Sequence, residues 1–136
     1  MAVVATPRTW RRVPMSAARA VAAFDVPRVQ RPQVALVQFV KDWNRSTGAA
    51  RRALLGPPGP DGSVRAVAVV AAVAHALLDR DGGVVPPWVA AARASEDITT
   101  CGAAVTSPFG RRIVEKSPPT CAQHRVYFDG ALLDRR

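Results

Sequence analysis

Between Ser63 and Gly82 the chain runs through VRAVAVVAAVAHALLDRD, a stretch with almost no polar face. It is too long for a strand. Val67, Val69, Val70, Val73, Leu77 and Leu78 fall on several sides of a helix, with small alanines between them. Such a helix cannot lie on a surface and has to be covered by other elements. Ser63 is a suitable N-cap, and Gly82–Gly83 ends the helix near Arg80. The expected fold is therefore mainly α: a small helical bundle around this Ala/Val-rich helix.

The 136 residues suffice for one domain. Aromatic residues make up only 6% of them, so the core has to be built from Ala, Val and Leu with a few large anchors, of which Trp43 and Trp88 are the clearest. Ahead of the central helix, Val34, Val37, Phe39/Val40 and Trp43 recur three and four apart and predict a helix after Pro32. Ser46–Gly48 makes a break, Ala49–Leu55 gives a further turn or two, and Gly56–Gly62 is a loop. After the central helix, Val84–Pro87 reads as extended and Trp88–Arg93 as a short helix. The stretch 95–106 reads as a loop with room for helical turns. Ser107–Pro108 is a helix start, with Phe109 and Ile113 placed inward through Lys116. Thr120–Gln123 allows one more turn, and HRVYFD at 124–129 is a short C-terminal extended segment with Val126 and Phe128 on one side and Tyr127 on the other.

Residues 1–32 differ in kind. They hold six arginines, one acid and four prolines, and this predicts a basic, flexible N-terminal arm followed by a helical domain over 33–136. One short helix fits inside the arm: Ser16 as N-cap, with Ala17, Ala20, Val21 and Phe24 at helical spacing. The net charge of +9 favours nucleic acid or an acidic partner, and Arg8, Trp10, Arg11, Arg12 and Arg19 are the candidate nucleic-acid-binding residues. Lys41 and Lys116 are the only lysines beside 17 arginines, a bias that a GC-rich genome also produces without selection for binding. No stretch reaches the roughly eighteen apolar residues of a membrane span, and no secretory signal opens the chain. A cytoplasmic location is expected, with Cys101 and Cys121 reduced.

Catalytic and metal-binding patterns are sparse. Cys121-x-x-His124 is one chelating pair where a zinc site takes two, Cys101 has no near partner, and His75 sits in the apolar helix as a core histidine would. Either cysteine could pair with His124, with Asp129 as orienter, but no spacing demands it. Glu96–Asp97 are adjacent and diverge on a helix. The Gly56–Gly62 loop contains Pro57, Pro58 and Pro60, which lack the amide donors of a phosphate cradle. A non-enzymatic protein without cofactor or metal is expected.

The segments ALVQFVKDW…ARRALLGPPGPDGS, VRAVAVVAAVAHALLDRDGGVVPPWV and SPFGRRIVEKSPPTCAQHRVYFDGALLDRR, in this order, carry a resemblance. The Ala-rich central helix, the G-x-x-x-P-W turn at Gly83–Trp88 and the aromatic segment before Leu-Leu-Asp-Arg resemble a C-terminal domain of actinobacterial antitoxin-like proteins. Those proteins often carry an N-terminal helix-turn-helix and are encoded beside nucleotidyltransferase-type toxins. The resemblance implies a protein-interaction module that acts by occupying a toxin. It implies contact residues near Trp88 and along an exposed segment 125–133, namely Arg125, Tyr127, Phe128, Leu132 and Leu133. Only a short Arg/Pro segment precedes residue 34, so repression of DNA is not carried over. The alternative reading is a nucleic-acid-associated protein acting through its Arg-rich arm.

Overall fold

The computed structural model describes residues 13–25 and 32–136. Among them lie α1 (Ala17–Asp25), α2 (Pro32–Asn44), α3 (Gly48–Leu54), α4 (Val64–Asp81), α5 (Pro87–Ala91), β1 (Ile98–Thr99), α6 (Pro108–Lys116), α7 (Cys121–His124), β2 (Val126–Tyr127) and a closing 3-10 turn (Gly130–Asp134). The protein is mainly helical.

Helix α4 is the axis. Ala66, every residue from Ala68 to Ala74, and Ala76 to Leu78 are buried. Helices α1, α2, α5 and α7, with β2 and the closing turn, pack around it. Its start follows from Ser63, whose hydroxyl oxygen accepts from the Ala66 amide at 3.0 Å. Its end follows from Gly82, which takes a φ of 82° while its amide donates to the Leu78 carbonyl. No helix among the described residues is long and apolar enough to cross a membrane.

The boundary between an arm and a domain at residue 32 does not hold. The short helix α1 belongs to the core: Ala17 and Ala20 are 0% exposed and Val21 2%. These small side chains share one face at helical spacing, which lets α1 lie close against α4. Two polar ties fix it. The Asp25 carboxylate accepts from the Ser63 amide (2.8 Å) and hydroxyl (2.5 Å), and the buried Asp42 carboxylate accepts from the Met15 amide (2.7 Å). The helix itself is the one its spacing predicts; its place in the core is not, because flanking prolines and arginines dominate the composition of that stretch.

Helix α2 buries the expected Phe39, Val40 and Trp43, but its first turn departs from expectation. Val34 is 52% exposed, and the buried row is Leu36, Phe39, Val40 and Trp43. That row follows the helical i, i+3, i+4, i+7 pattern and leaves Val37 half-buried. The stretch 95–106 is likewise more than a loop. Ile98 and Thr99 pair in parallel with Val126 and Tyr127. Val126 and Phe128 point inward, as their alternation indicates. A two-residue strand is too short to leave a period in the sequence.

Candidate functional site: a basic-rimmed apolar groove

Ser107 starts α6 as Ser63 starts α4: its hydroxyl oxygen accepts from the Gly110 amide at 3.0 Å, with Pro108 in the first turn. Gly110 then fixes the helix to the fold. A Cβ at this position would lie 1.8 Å from the Ala104 carbonyl oxygen, so only glycine lets the 104–105 backbone approach so closely. Fixed there, α6 presents two different faces. Arg111, Val114 and Glu115 border a small cleft with Asp97, Val105 and Tyr127. Phe109, Arg112, Ile113 and Lys116, spaced three and four apart, face a larger groove.

That groove has a volume of about 610 Å³. Gln33, Leu36 and Val37 of α2 form the opposite wall, Phe128, Ala131 and Leu132 the base, and Thr100 and Cys101 one end. The Gln33 amide group donates to the Thr100 carbonyl at 3.3 Å, tying this end to α2. The base is held from behind: Asn44 donates to the Leu133 and Arg135 carbonyls, and Arg80 donates to the Leu133 carbonyl at 2.6 Å. The walls are mainly apolar, while among the described residues the charged lining groups are three cations, Arg112, Lys116 and Arg135, and one carboxylate, Asp129. Phe109 is 59% exposed above this groove, against the expectation that it points inward; Ile113 does point inward.

The residues chosen from sequence are distributed unevenly about this groove. Phe128 and Leu132 line it. Arg125 and Tyr127 lie instead on the β-pair side, where Arg125 donates to Asp97 (3.3 Å) and to the Ser95 carbonyl (3.0 Å), and the Tyr127 hydroxyl donates to Asp97 (3.4 Å). Burial and the Asp97 carboxylate raise the Tyr127 phenol above its ordinary range. Segment 125–133 is not the exposed strip expected, because Phe128 is 2% and Leu133 8% exposed. Alternating residues of a segment pressed on a core must point into it. Trp88 is half-buried and donates its indole N–H to the Leu55 carbonyl at 3.0 Å. Arg19 curls back onto the Val13 and Pro14 carbonyls (2.9 and 3.0 Å). Arg8, Trp10, Arg11 and Arg12 lie outside the described residues. Sequence reasoning did not select Phe109, Ile113 or Lys116 for the site, and weighed Arg112 only with Arg111 for phosphate contact. The signal was an aromatic residue and two cations on one helical face of a nine-residue element.

The histidines and cysteines occupy other positions. His124 is fully buried, and its Nδ1 lies 2.6 Å from the Ala92 carbonyl. A carbonyl only accepts, so Nδ1 carries the proton and Nε2 is left to accept from His75 Nδ1 at 2.8 Å. The two rings meet edge to face with centroids 5.1 Å apart. Burial holds His124 below the ordinary histidine range, the bond to Ala92 opposes this, and His75 lowers it further. Burial pushes the Cys121 thiol up to about 12, leaving it protonated and unreactive. Cys101 is exposed at the groove, with its sulfur 3.5 Å from the Thr99 hydroxyl. Cys101 and Cys121 are not bonded to each other. Among the described residues no three metal-ligating side chains converge.

A third polar cluster locks the far end of α4. Asp81 accepts from the Trp43 indole (2.8 Å) and from Arg80 (2.8 Å), and pairs with Arg51 at 3.4 Å. The Arg51 guanidinium lies 5.1 Å from the Trp43 ring centroid. The bond from Arg80 is the main reason the Asp81 carboxyl is held down at about 2; burial opposes it, and Trp43 and Arg51 reinforce it.

No known protein family, curated protein or solved structure matches this chain.

Proposed function

We propose that the protein is a non-enzymatic interaction module that seats an apolar segment of a partner protein in the groove between α2, α6 and the closing turn. The observation that carries this reading is Phe109, a large aromatic 59% exposed at the edge of an apolar groove whose charged lining is mainly basic. A concave, mainly apolar groove of this volume with a few charged groups at its rim has the form of a binding site. Aromatic residues and arginines are the side chains that most often dominate binding energy. The cationic rim selects an occupant that brings negative charge.

In its antitoxin-like form, the reading makes the partner a nucleotidyltransferase-type toxin that is neutralised by occupation. Affinity purification from source cells, at physiological salt and after nuclease treatment, tests this with the full chain and its Phe109→Asp variant. A protein retained by the full chain and lost with Phe109→Asp is the expected result, and a nucleotidyltransferase in that position supports the antitoxin form. A partner indifferent to Phe109→Asp overturns the groove reading. Recovery of nucleic acid alone, lost as salt is raised, favours the basic-protein alternative instead. The full chain is required, because a truncation at residue 33 removes α1 from the core.

A further inference from the structure

Resting on the docking reading above, we infer that the groove's occupant is an amphipathic helix of the partner, with an acidic pair one turn apart along its flank.

Three observations lead there. The first is charge. Arg112, Lys116 and Arg135 are all exposed and face the groove, and among the described residues Asp129 is the one carboxylate lining it. An apolar segment flanked by acids gains at this rim, and one flanked by bases is repelled. The chain's own residues 1–12 are thereby a poor match, since they carry Arg8, Arg11 and Arg12 and no acid.

The second is the nature of the walls. They are formed by α2 and α6, helices whose interior amides and carbonyls are satisfied within the helix. A partner strand would find no open ladder edge along them, so affinity has to come from side chains packed into a groove, the mode used by helices. The third is spacing. Arg112 and Lys116 lie four residues apart on one face of α6, about 6 Å along its axis. Carboxylates at i and i+4 of an occupant helix repeat at the same rise, so both can be met at once by a helix running beside α6.

The probes are two synthetic peptides of roughly 20 residues, long enough to hold helix in water. They share one Leu face; one carries Glu and the other Lys on its flanks. Each is titrated calorimetrically against the full chain, with alkylation of Cys101 as a local readout, since the buried Cys121 thiol does not compete. The acidic peptide should bind about ten-fold or more tighter than the basic one, the sum of two exposed ion pairs and the repulsion they replace. It should also slow alkylation of Cys101. The double variant Arg112→Glu, Lys116→Glu should reverse the preference while its melting curve stays that of the parent.

Equal binding of the two peptides overturns the proposal and leaves the docking reading intact. So does failure of both peptides while a cellular partner still depends on Phe109. Protection of Cys101 by decanoate but by neither peptide overturns it in favour of a small amphipathic carboxylate. A cellular partner insensitive to Phe109→Asp removes the docking reading itself, a result distinct from each of these.

Discussion

Helices α4 and α6 begin in the same way and end in opposite situations. Each is opened by a serine whose hydroxyl accepts the amide three residues on, and neither has an acid in its first turn. Helix α4 is apolar on nearly every side and is enclosed by its neighbours. Helix α6 interleaves apolar and basic residues, packs mainly against β1, and buries only Gly110 and Ile113. The cap sets where a helix starts; the pattern of the following residues sets how much of it the fold consumes. In α4 the apolar surface is spent on folding. In α6 the fold takes two positions and leaves Phe109, Arg112 and Lys116 exposed.

The comparison breaks most strongly at the centre. Leu77 is 0% exposed within the packed cluster around α4, so Leu77→Ala removes transfer energy and leaves a cavity. A loss of about 2–5 kcal/mol is expected, read by denaturant unfolding as a lowered midpoint with an unchanged slope. Gly110→Ala should rank next, at about 1–3 kcal/mol, because its new methyl meets backbone rather than a side chain that can turn away. Its signature should be local: faster amide exchange in α6 and around Ala104, with α4 still protected. Equal exchange in both helices would show that α6 and α4 unfold as one unit and that the contrast between them is only one of surface.

How far these regions could be read in advance follows the same division. The pattern of α4 is repeated over eighteen residues, and its serine cap and terminal glycine are visible as residue types. Both serine caps, the alternation of Val126 and Phe128, and the mainly helical class were legible for that reason. Elsewhere the determinants were tertiary. Helix α1 is nine residues between prolines, and its placement rests on Asp25 meeting Ser63, 38 positions away. In α2 the inward Phe39, Val40 and Trp43 were legible, but Leu36 rather than Val34 begins their row. The groove joins residues from Gln33 to Arg135, a span no local window covers. The pairing of His75 with His124, 49 residues apart, was likewise invisible.

Acid should separate two clamps in turn. His124 is held below its ordinary value of 6.5 in the fold, so the unfolded chain takes up a proton first as pH drops. Its contribution is therefore complete above about 6.5 and is lost as pH falls toward the lowered value. Protonation puts a second N–H on a ring whose Nε2 must accept from His75, and this loosens α7 from α4. Asp81, held at about 2 against an ordinary 3.8, keeps its contribution until well below that range and loses it between the two values. Unfolding midpoints between about pH 8 and pH 5 should thus decline, and His124→Gln should flatten that decline without altering the later acid phase. A decline unchanged by His124→Gln would assign it to other groups.

The smallest expected effect discriminates most sharply. Phe109 touches too little of the core to hold α6 in place, a task that falls to Gly110, Ile113 and the Ser107 cap. Phe109→Ser should therefore change stability by no more than about 0.5 kcal/mol, the range of surface substitutions, while removing the aromatic edge of the groove. Residues retained for folding cost stability when cut; residues retained for binding do not. A loss of ~2 kcal/mol at Phe109 would place it with Leu77, as part of the core, and would end the contrast between the two helices. No loss of stability, together with loss of the captured partner, would mark α6 as the face the fold holds out.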